Sequence, residues 1–433
     1  MVKSTRLQRP WIGLNETTED FMRNAIVLVV DRLGAGCLGP YGNTWIETPS
    51  WNRVAVQSAL FEWALTDALD LPTVYRSYWQ GQHALCPARP RASLPEALAA
   101  AGVHCTLVTD EPQLADIPGA DCFAERIALT PAEAERPATD VFQTQMAQLF
   151  AAAASQLERM PEPFLLWIHS RGMAGAWDGP VELRNEYADE DDPLPPELVV
   201  PPVKRFESAY DPDELLGYQH AYAGQVALFD LCLGAFLDTA WATAGWDRTL
   251  LVLTSPRGYP LGEHRVVGPC DAAVYEEQVH VPCLVRLPHD RGAGIRCQEL
   301  VQPPDLDATL REAFRLEPDG EPRWGQSLLA LLGTEPPAWR DRAATISPAA
   351  QALRTPAWLL VRRHGDRHDD QHIDQHEVFA KPDDRWEVNE VANRCPEAVE
   401  QLENAWDEFQ RAAQASPLAQ PSPLSNLLRE GFG

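Results

Sequence analysis

Short apolar runs of strand length punctuate the chain at residues 25–30, 105–108, 164–168, 250–253 and 283–287. Continuous runs this short fit strands buried on both faces, as in a parallel sheet covered by helices. Between 220 and 244 the period changes: Val226, Phe229, Leu233, Phe236, Leu237 and Ala240 share one helical face, and Gly245 stops the run. Strands alternating with helices predict an α/β layered fold. Residues 180–216, rich in proline and acid, predict a long surface loop. A boundary is expected near 345, which gives a main domain over 1–345. Beyond it, strands at 358–361 and 378–380 and a helix over 396–413 predict an α+β unit spanning 346–414. Residues 415–433 read as a loose Pro/Ser-rich tail.

Charge narrows the choice of function. With 36 Lys and Arg against 63 Asp and Glu the formal charge is −27, which argues against nonspecific binding to nucleic acids and to anionic membrane surfaces. Hydrophobic residues make up 45% of the chain, so it is expected to fold rather than stay disordered. No run of eighteen apolar residues occurs and the N-terminal stretch is polar, so neither a spanning helix nor a secretory signal is expected. The nine cysteines are scattered without a CxxC pair, which predicts no zinc knuckle or disulfide framework and a reduced, cytoplasmic protein.

The segment NAIVLVVDRLGAGCLGPYGNTWIETP, residues 24–49, sets Asp31 at the carboxyl end of a buried strand, where open α/β sheets place ligands. It resembles the opening of the sulfatase family of the alkaline-phosphatase superfamily, in which a strand ends in two metal-binding aspartates before LGxGxLGxYGN and a TP. Further segments are similar in the same order. PFLLWIHSRGMAGAWDGP (163–180) resembles a strand followed by HxxDPHxPYDPP, HAYAGQVALFDLCLGAFLDTA (220–240) a helix opening YxAEI, and TLLVLTSPRGYPLGEH (249–264) a strand ending TSDHGxxLGEH. Stretches within 281–332 are similar to VPLIVRxP, VxLVDLxPTL and GxSLLPLL, and VFAKPDDRWEVNEVANRCPEAVEQL to the family's closing ELYDLxxDPxExxNLA. The resemblance covers residues 24–412 and implies a sulfatase-like α/β sandwich with a mostly parallel central sheet and a small C-terminal α+β subdomain.

It also implies a chemistry: a divalent cation, usually calcium, on oxygen ligands, and a CxPSR cysteine converted to a formylglycine nucleophile. Lys, Arg and His groups hold the sulfate and protonate the leaving group. Position by position, this chain departs from that set. The first aspartate is Asp31 but the second is Arg32. Aligned on Pro72, Asp70 takes the nucleophile's place, Thr73 the serine's and Val74 the arginine's, with Arg76 two residues late. His169 is kept, whereas the catalytic histidine of DPH is Ala174 and the aspartate before it is Gly172. The late metal pair is Pro256 and Arg257, and no lysine follows the retained Leu-Gly-Glu-His that ends in His264. The KWH element has no counterpart in LVTDEPQL, residues 107–114. No cofactor is therefore expected, calcium being the alternative. Two arginines against Asp31 and Asp70 balance without an ion, so at least one arginine is expected within about 4 Å of one of those carboxylates.

Other features carry blander readings. Cys86-Pro87-Ala88-Arg89 is a scrambled CxPxR beyond the matching turn, and Cys37 between glycines reads as a buried thiol. His364, His368, His372 and His376 would stack on a helix as a zinc or nickel site, but Gly365 and the surrounding acids favour an exposed, mobile loop. Residues 189–192 lack the spacing of a calcium loop. Gly262, Glu263 and His264 read as a tight turn, Asn43 and Thr48 as turn and helix-start residues, and His169 as a core group. Three functions remain open. The first is a sulfatase-like pseudoenzyme binding a small ligand or protein partner in the old cleft. The second is a sulfate or phosphate ester hydrolase with a rebuilt site, and the third a metal-binding protein acting through residues 364–376.

Overall fold

The computed structural model describes residues 22–131, 133–269, 274–333, 335–363, 375–415 and 418–432. In chain order the strands begin with β1 (Asn24–Val30), β2 (Ala59–Leu65), β3 (His104–Thr109), β4 (Glu125–Ala128) and β5 (Phe164–Ser170). There follow β6 (Lys204–Arg205), β7 (Thr249–Thr254), β8 (Val266–Val267), β9 (His280–Val281), β10 (Cys283–Arg286) and β11 (Arg296–Val301). The last four are β12 (Ala343–Ile346), β13 (Ala350–Arg354), β14 (Trp358–Arg363) and β15 (Gln375–Ala380). A nine-stranded sheet runs β11-β2-β10-β7-β1-β5-β3-β4, with β9 paired to β2. Strands β1, β3, β4, β5 and β7 are mutually parallel where they pair, and β10 enters antiparallel.

The apolar runs explain the layers. On β1, Ile26, Leu28 and Val30 face one core while Ala25, Val27 and Val29 face the other. Successive side chains on a strand point to opposite faces, so an unbroken apolar run needs cover on both. One cover is the helix Pro212–Ala242 with Gln145–Leu157, and the other is Leu71–Gln80, Leu94–Ala100 and Pro304–Ala313. The long helix starts eight residues before the periodic stretch, at Pro212, where the Asp211 side chain accepts from the Asp213 amide at 3.0 Å. By length and composition alone it could cross a bilayer, but 78% of its apolar window is buried in the protein core. Strands β2 and β11 to β13 are not foreshadowed by apolar runs. Leu60, Ala64 and Leu65 on β2 fit helical spacing as well as alternation, and β11 mixes polar and apolar residues.

The second sheet, β12-β13-β14-β15, is antiparallel. Its Leu359 and Val361 pack on Leu65, Tyr275 and Leu300 of the first unit, while Trp358, Leu360 and Val378 pack on Leu402, Trp406 and Phe409 of the helix Pro396–Gln414. The helix therefore covers the outer face of this sheet. Within the stretch read as a loose tail, a short helix Asn426–Glu430 buries Leu428, and Leu424 joins the same cluster. The Trp358 indole fixes it further by donating to the Leu427 carbonyl at 2.8 Å. Burying one leucine contributes about 1.5–3 kcal/mol, comparable to ordering one or two residues, so this docking needs both contacts. Of the spaced histidines only His376 lies among the described residues; it sits on β15 with Nδ1 2.9 Å from Glu403, and 364–374 lie outside them. Among the described residues every cysteine is free.

Candidate functional site

The carboxyl ends of β1, β3, β5 and β7 converge, and each delivers charged groups. Strand β1 delivers Asp31, whose side chain is fully buried. Strand β7 ends in a serine turn: the Ser255 hydroxyl donates to the Arg257 carbonyl at 2.7 Å, which throws the Arg257 side chain back over β1. Arg257 grips Asp31 with both sides of its fork, Nε to Oδ1 at 2.9 Å and Nη2 to Oδ2 at 2.8 Å. Its third nitrogen donates to the Leu69 carbonyl at 2.5 Å and so ties in the start of the helix Leu71–Gln80. Burial alone would raise the Asp31 carboxyl, but Arg257 outweighs it and holds the group below its ordinary value. The expected arginine–carboxylate pair is thus made by Arg257. Pro256, buried beside it, offers no side-chain ligand atom.

Arg32 does not reach a carboxylate oxygen by hydrogen bond. Its backbone is left-handed, φ 64°, and its buried guanidinium donates to the Gly258 carbonyl at 3.1 Å. Burial, then the neighbouring Arg257, push it down to about 10, which still leaves it charged. Asp70 is exposed and caps the helix Leu71–Gln80, accepting from the Thr73 amide at 3.0 Å. Its carboxylate is committed to the helix end, where a capping side chain satisfies an otherwise orphaned amide. Arg76, on the same helix, turns away and donates to the Ala84 carbonyl at 2.8 Å. Ala174 closes a short turn, Gly172–Ala174, after β5.

His169 is fully buried at the end of β5, with Nδ1 2.6 Å from the Tyr75 hydroxyl, which itself accepts from the Trp167 indole at 3.2 Å. Tyr75 thus links the His169 ring to the Trp167 indole. Burial pushes this imidazole down to about 4, so it is neutral near pH 7. Sequence reasoning missed the charges at the end of β3. The Asp110 carboxylate accepts from the Arg171 amide at 2.7 Å, and Glu111 stands 3.4 Å from the Arg171 side chain. The signal was present in LVTDEPQL, where two acids follow an apolar strand just as Asp31 does.

The retained family residues hold loops together. Asn43 accepts from the amides of Trp45 and Ile46 at 2.9 and 2.7 Å and donates to the Gly36 carbonyl at 2.8 Å. Thr48 accepts from the Gly39 amide at 2.9 Å. Gly262 takes φ 112°, and His264 stacks flat on Tyr275 at 3.7 Å with Nδ1 3.1 Å from Glu277. Burial works against its charge, but Glu277 holds it above its ordinary value. These loops border a cleft of about 190 Å³ rimmed by Trp45, Trp386 and Arg385, with Glu263 and Glu277 in its wall. The Cys37 thiol, also lining it, is pushed up to about 12 by loss of water, and Cys86 elsewhere to about 11 for the same reason. Neither has the lowered value of a reactive thiolate.

A family metal would need about six to eight oxygen ligands if calcium. The residues present do not fit one. Both Asp31 oxygens are engaged by Arg257, Pro256 has no side-chain ligand, and Arg32 and Arg257 are cations. Among the described residues no group of three or more His, Cys, Asp or Glu side chains could hold an ion.

Comparison with solved structures gives the same architecture. The phosphonate monoester hydrolase of Agrobacterium radiobacter superposes with a TM-score of 0.72 at 18% identity, covering 90% of this chain and 95% of that one. A 2-O GAG sulfatase superposes with a TM-score of 0.71 at 14% identity, covering 94% and 96%. The phosphonate monoester hydrolase of Silicibacter pomeroyi gives 0.68 at 18%, covering 90% and 94%. At such identities the likeness is one of fold. No curated protein matches the sequence. The sulfatase family profile matches residues 23–314, well over half of the chain. On that profile match, with the same overall fold in its structural neighbours, the chain belongs to the sulfatase family, within the alkaline-phosphatase superfamily.

Proposed function

We propose that this sulfatase-family chain is a pseudoenzyme that no longer hydrolyses sulfate esters by the family's metal and formylglycine route, and that its old cleft serves binding. The single observation that carries this reading is the two-pronged contact of Arg257 with Asp31 at 2.8 and 2.9 Å. A guanidinium in that place supplies the positive charge that a cation would bring, but it generates no nucleophile and opens no coordination position. Asp70 supports the same reading, because its carboxylate caps a helix. His169 is a third support: buried, neutral and bonded to Tyr75, it is set up as a core group.

Two measurements test the proposal. Calorimetric titration with calcium should show no binding at micromolar concentration, because the cation would have to displace Arg257 from Asp31. Chromogenic aryl sulfates and phosphate esters should turn over no faster with the unmodified protein than with Asp70→Ala. Turnover that Asp70→Ala abolishes would establish a rebuilt hydrolase and end the pseudoenzyme reading.

A further inference from the structure

After β15 ends at Ala380 the chain runs back over the first unit through residues 384–387. Arg385 and Trp386 of this loop line the cleft that Glu263 and Glu277 wall on the other side. Asp384 holds the turn together: its carbonyl accepts from the Glu387 amide at 3.4 Å, and its side chain from the Val388 and Asn389 amides at 3.0 and 2.9 Å. Glu387 sits in the left-handed region, φ 48°, a conformation that a side-chain-bearing residue keeps only when its surroundings impose it.

The contacts that impose it are charged. The buried Glu387 carboxylate meets the Lys381 ammonium and accepts from the Glu276 amide at 3.4 Å, while Arg385 Nε stands 3.6 Å from Glu276. The Glu387 carbonyl is held from the first unit by His264, whose Nε2 lies 3.3 Å away. The other nitrogen of that ring, Nδ1, faces Glu277 at 3.1 Å. A carbonyl and a carboxylate are both acceptors, so each ring nitrogen has an acceptor before it. A neutral imidazole carries one N–H and can serve only one of them, whereas the imidazolium serves both. The surroundings agree with the charged form. Glu263 on the same turn and Glu277 on the short helix Glu276–Val279 act on the ring directly. The nearby bases are turned elsewhere: Lys381, Arg385 and His280 face Glu276, and Arg354 acts on Glu276 and Glu387. Tyr275, stacked under the ring, spends its hydroxyl on Glu377 and Arg363 at 2.5 and 2.6 Å.

We propose that His264 is a proton-operated latch: as imidazolium it ties the Glu387 carbonyl to Glu277 and keeps the 384–387 loop closed on the cleft, and loss of its proton frees the loop. Because the folded value of His264 lies above its ordinary 6.5, the latch is fully engaged below 6.5 and is released as pH rises through the raised value. The latch belongs to the loop itself, so it stands whether or not the pseudoenzyme reading does. Nitrogen-15 spectra of the histidine rings in the full chain, with His264 assigned by its loss in His264→Gln, should show both its nitrogens protonated at about pH 6 and one bare at about pH 8.5. Hydrogen exchange of the 381–390 peptide, divided by its intrinsic rate at each pH, should rise about tenfold over that interval, the loss expected for one hydrogen bond to a charged group. The Glu387 carboxyl, itself pushed up to about 8 by burial, is removed from the comparison by Glu387→Gln, which keeps the carbonyl and should keep the rise. Adding His264→Gln to that variant should make the corrected exchange equal at both pH values, and circular dichroism checks that both variants fold. The proposal is overturned by a His264 ring with one bare nitrogen already at about pH 6, by a flat exchange profile in Glu387→Gln, or by a rise that persists in the double variant.

Discussion

Two of the buried charge clusters among the described residues are built on different arithmetic. At the strand ends one carboxylate, Asp31, meets one guanidinium, Arg257, along two matched hydrogen bonds. At the seam between the two sheets one ammonium, Lys381, serves two carboxylates: Glu276 at 2.8 Å and, in close contact, Glu387. Arg354, buried nearby, spends its donors on the carbonyls of Thr355, Pro356 and Trp358 instead. The outcomes diverge accordingly. Asp31 is held below its ordinary value and stays ionised. At the seam, burial favours protonating both acids; His280 and Lys381 nevertheless hold Glu276 at about 2, while Glu387 is pushed up to about 8. A matched pair leaves nothing to titrate near neutrality, whereas an ammonium shared between two acids leaves one of them poised there.

Breaking the matched pair should have the largest effect. Arg257→Asp is expected to cost about 4 kcal/mol or more in urea unfolding, since it strands Asp31 beside a like charge, and to restore no calcium binding. Adding Asp31→Asn to Arg257→Met should recover most of that single variant's loss. A cost under about 1 kcal/mol for Arg257→Met would show that the pair is replaceable by water. At the seam, Lys381→Met should cost about 3 kcal/mol at pH 8 and less at pH 6, where Glu387 can take up a proton.

The pH profile sharpens the contrast. Because the folded value of Glu387 lies above its ordinary 4.5, the folded state holds more protons than the unfolded one between about pH 4.5 and 8. This group's stabilising contribution is therefore full below that window and is lost as pH rises through it. Glu387→Gln should remove a downward slope of up to about 1 kcal/mol per pH unit between pH 5 and 8. Parallel profiles for the variant and the unmodified protein would refute the assignment. Asp31 has the opposite sign: its contribution is present above about 3.8 and is lost only as pH falls further, so Asp31→Asn should leave the slope from 5 to 8 unchanged. The smallest effect is expected from Asp70→Ala, about 1 kcal/mol for a lost helix cap, measured by thermal or urea unfolding.

What could be read from the sequence follows from how local each signal is. Strands β1, β5 and β7 announce themselves because burial on both faces leaves unbroken apolar runs. Strand β2 does not, because ALFEWAL suits a helix face equally well. The pairing at Asp31 could be anticipated because its positions were fixed by an ordered set of family segments and the charges left over were countable. The seam cluster could not. Glu276 and Lys381 are separated by 105 residues, and although Lys381 stands inside the family's closing segment nothing there marks it as the partner of Glu276, so only the packing of β12 to β15 on the first unit brings them together. The closing segment misled for a compositional reason, as its prolines and serines hide the spacing of Leu424 and Leu428.

Gly172 locks the backbone beside Asp31 into a shape that admits no side chain. It adopts φ +49°, and a Cβ there would stand 2.6 Å from the Asp31 carbonyl and 2.7 Å from Val30 Cγ1. The backbone has settled into space that a side chain would need, and the Met173 amide now bonds that same carbonyl at 3.0 Å. Any residue other than glycine at this position is strained both in its own torsion and against the first strand. An aspartate placed at position 172 should therefore damage the fold, whatever stands at Arg32, Pro256 and Arg257, and urea unfolding of Gly172→Asp measures that cost.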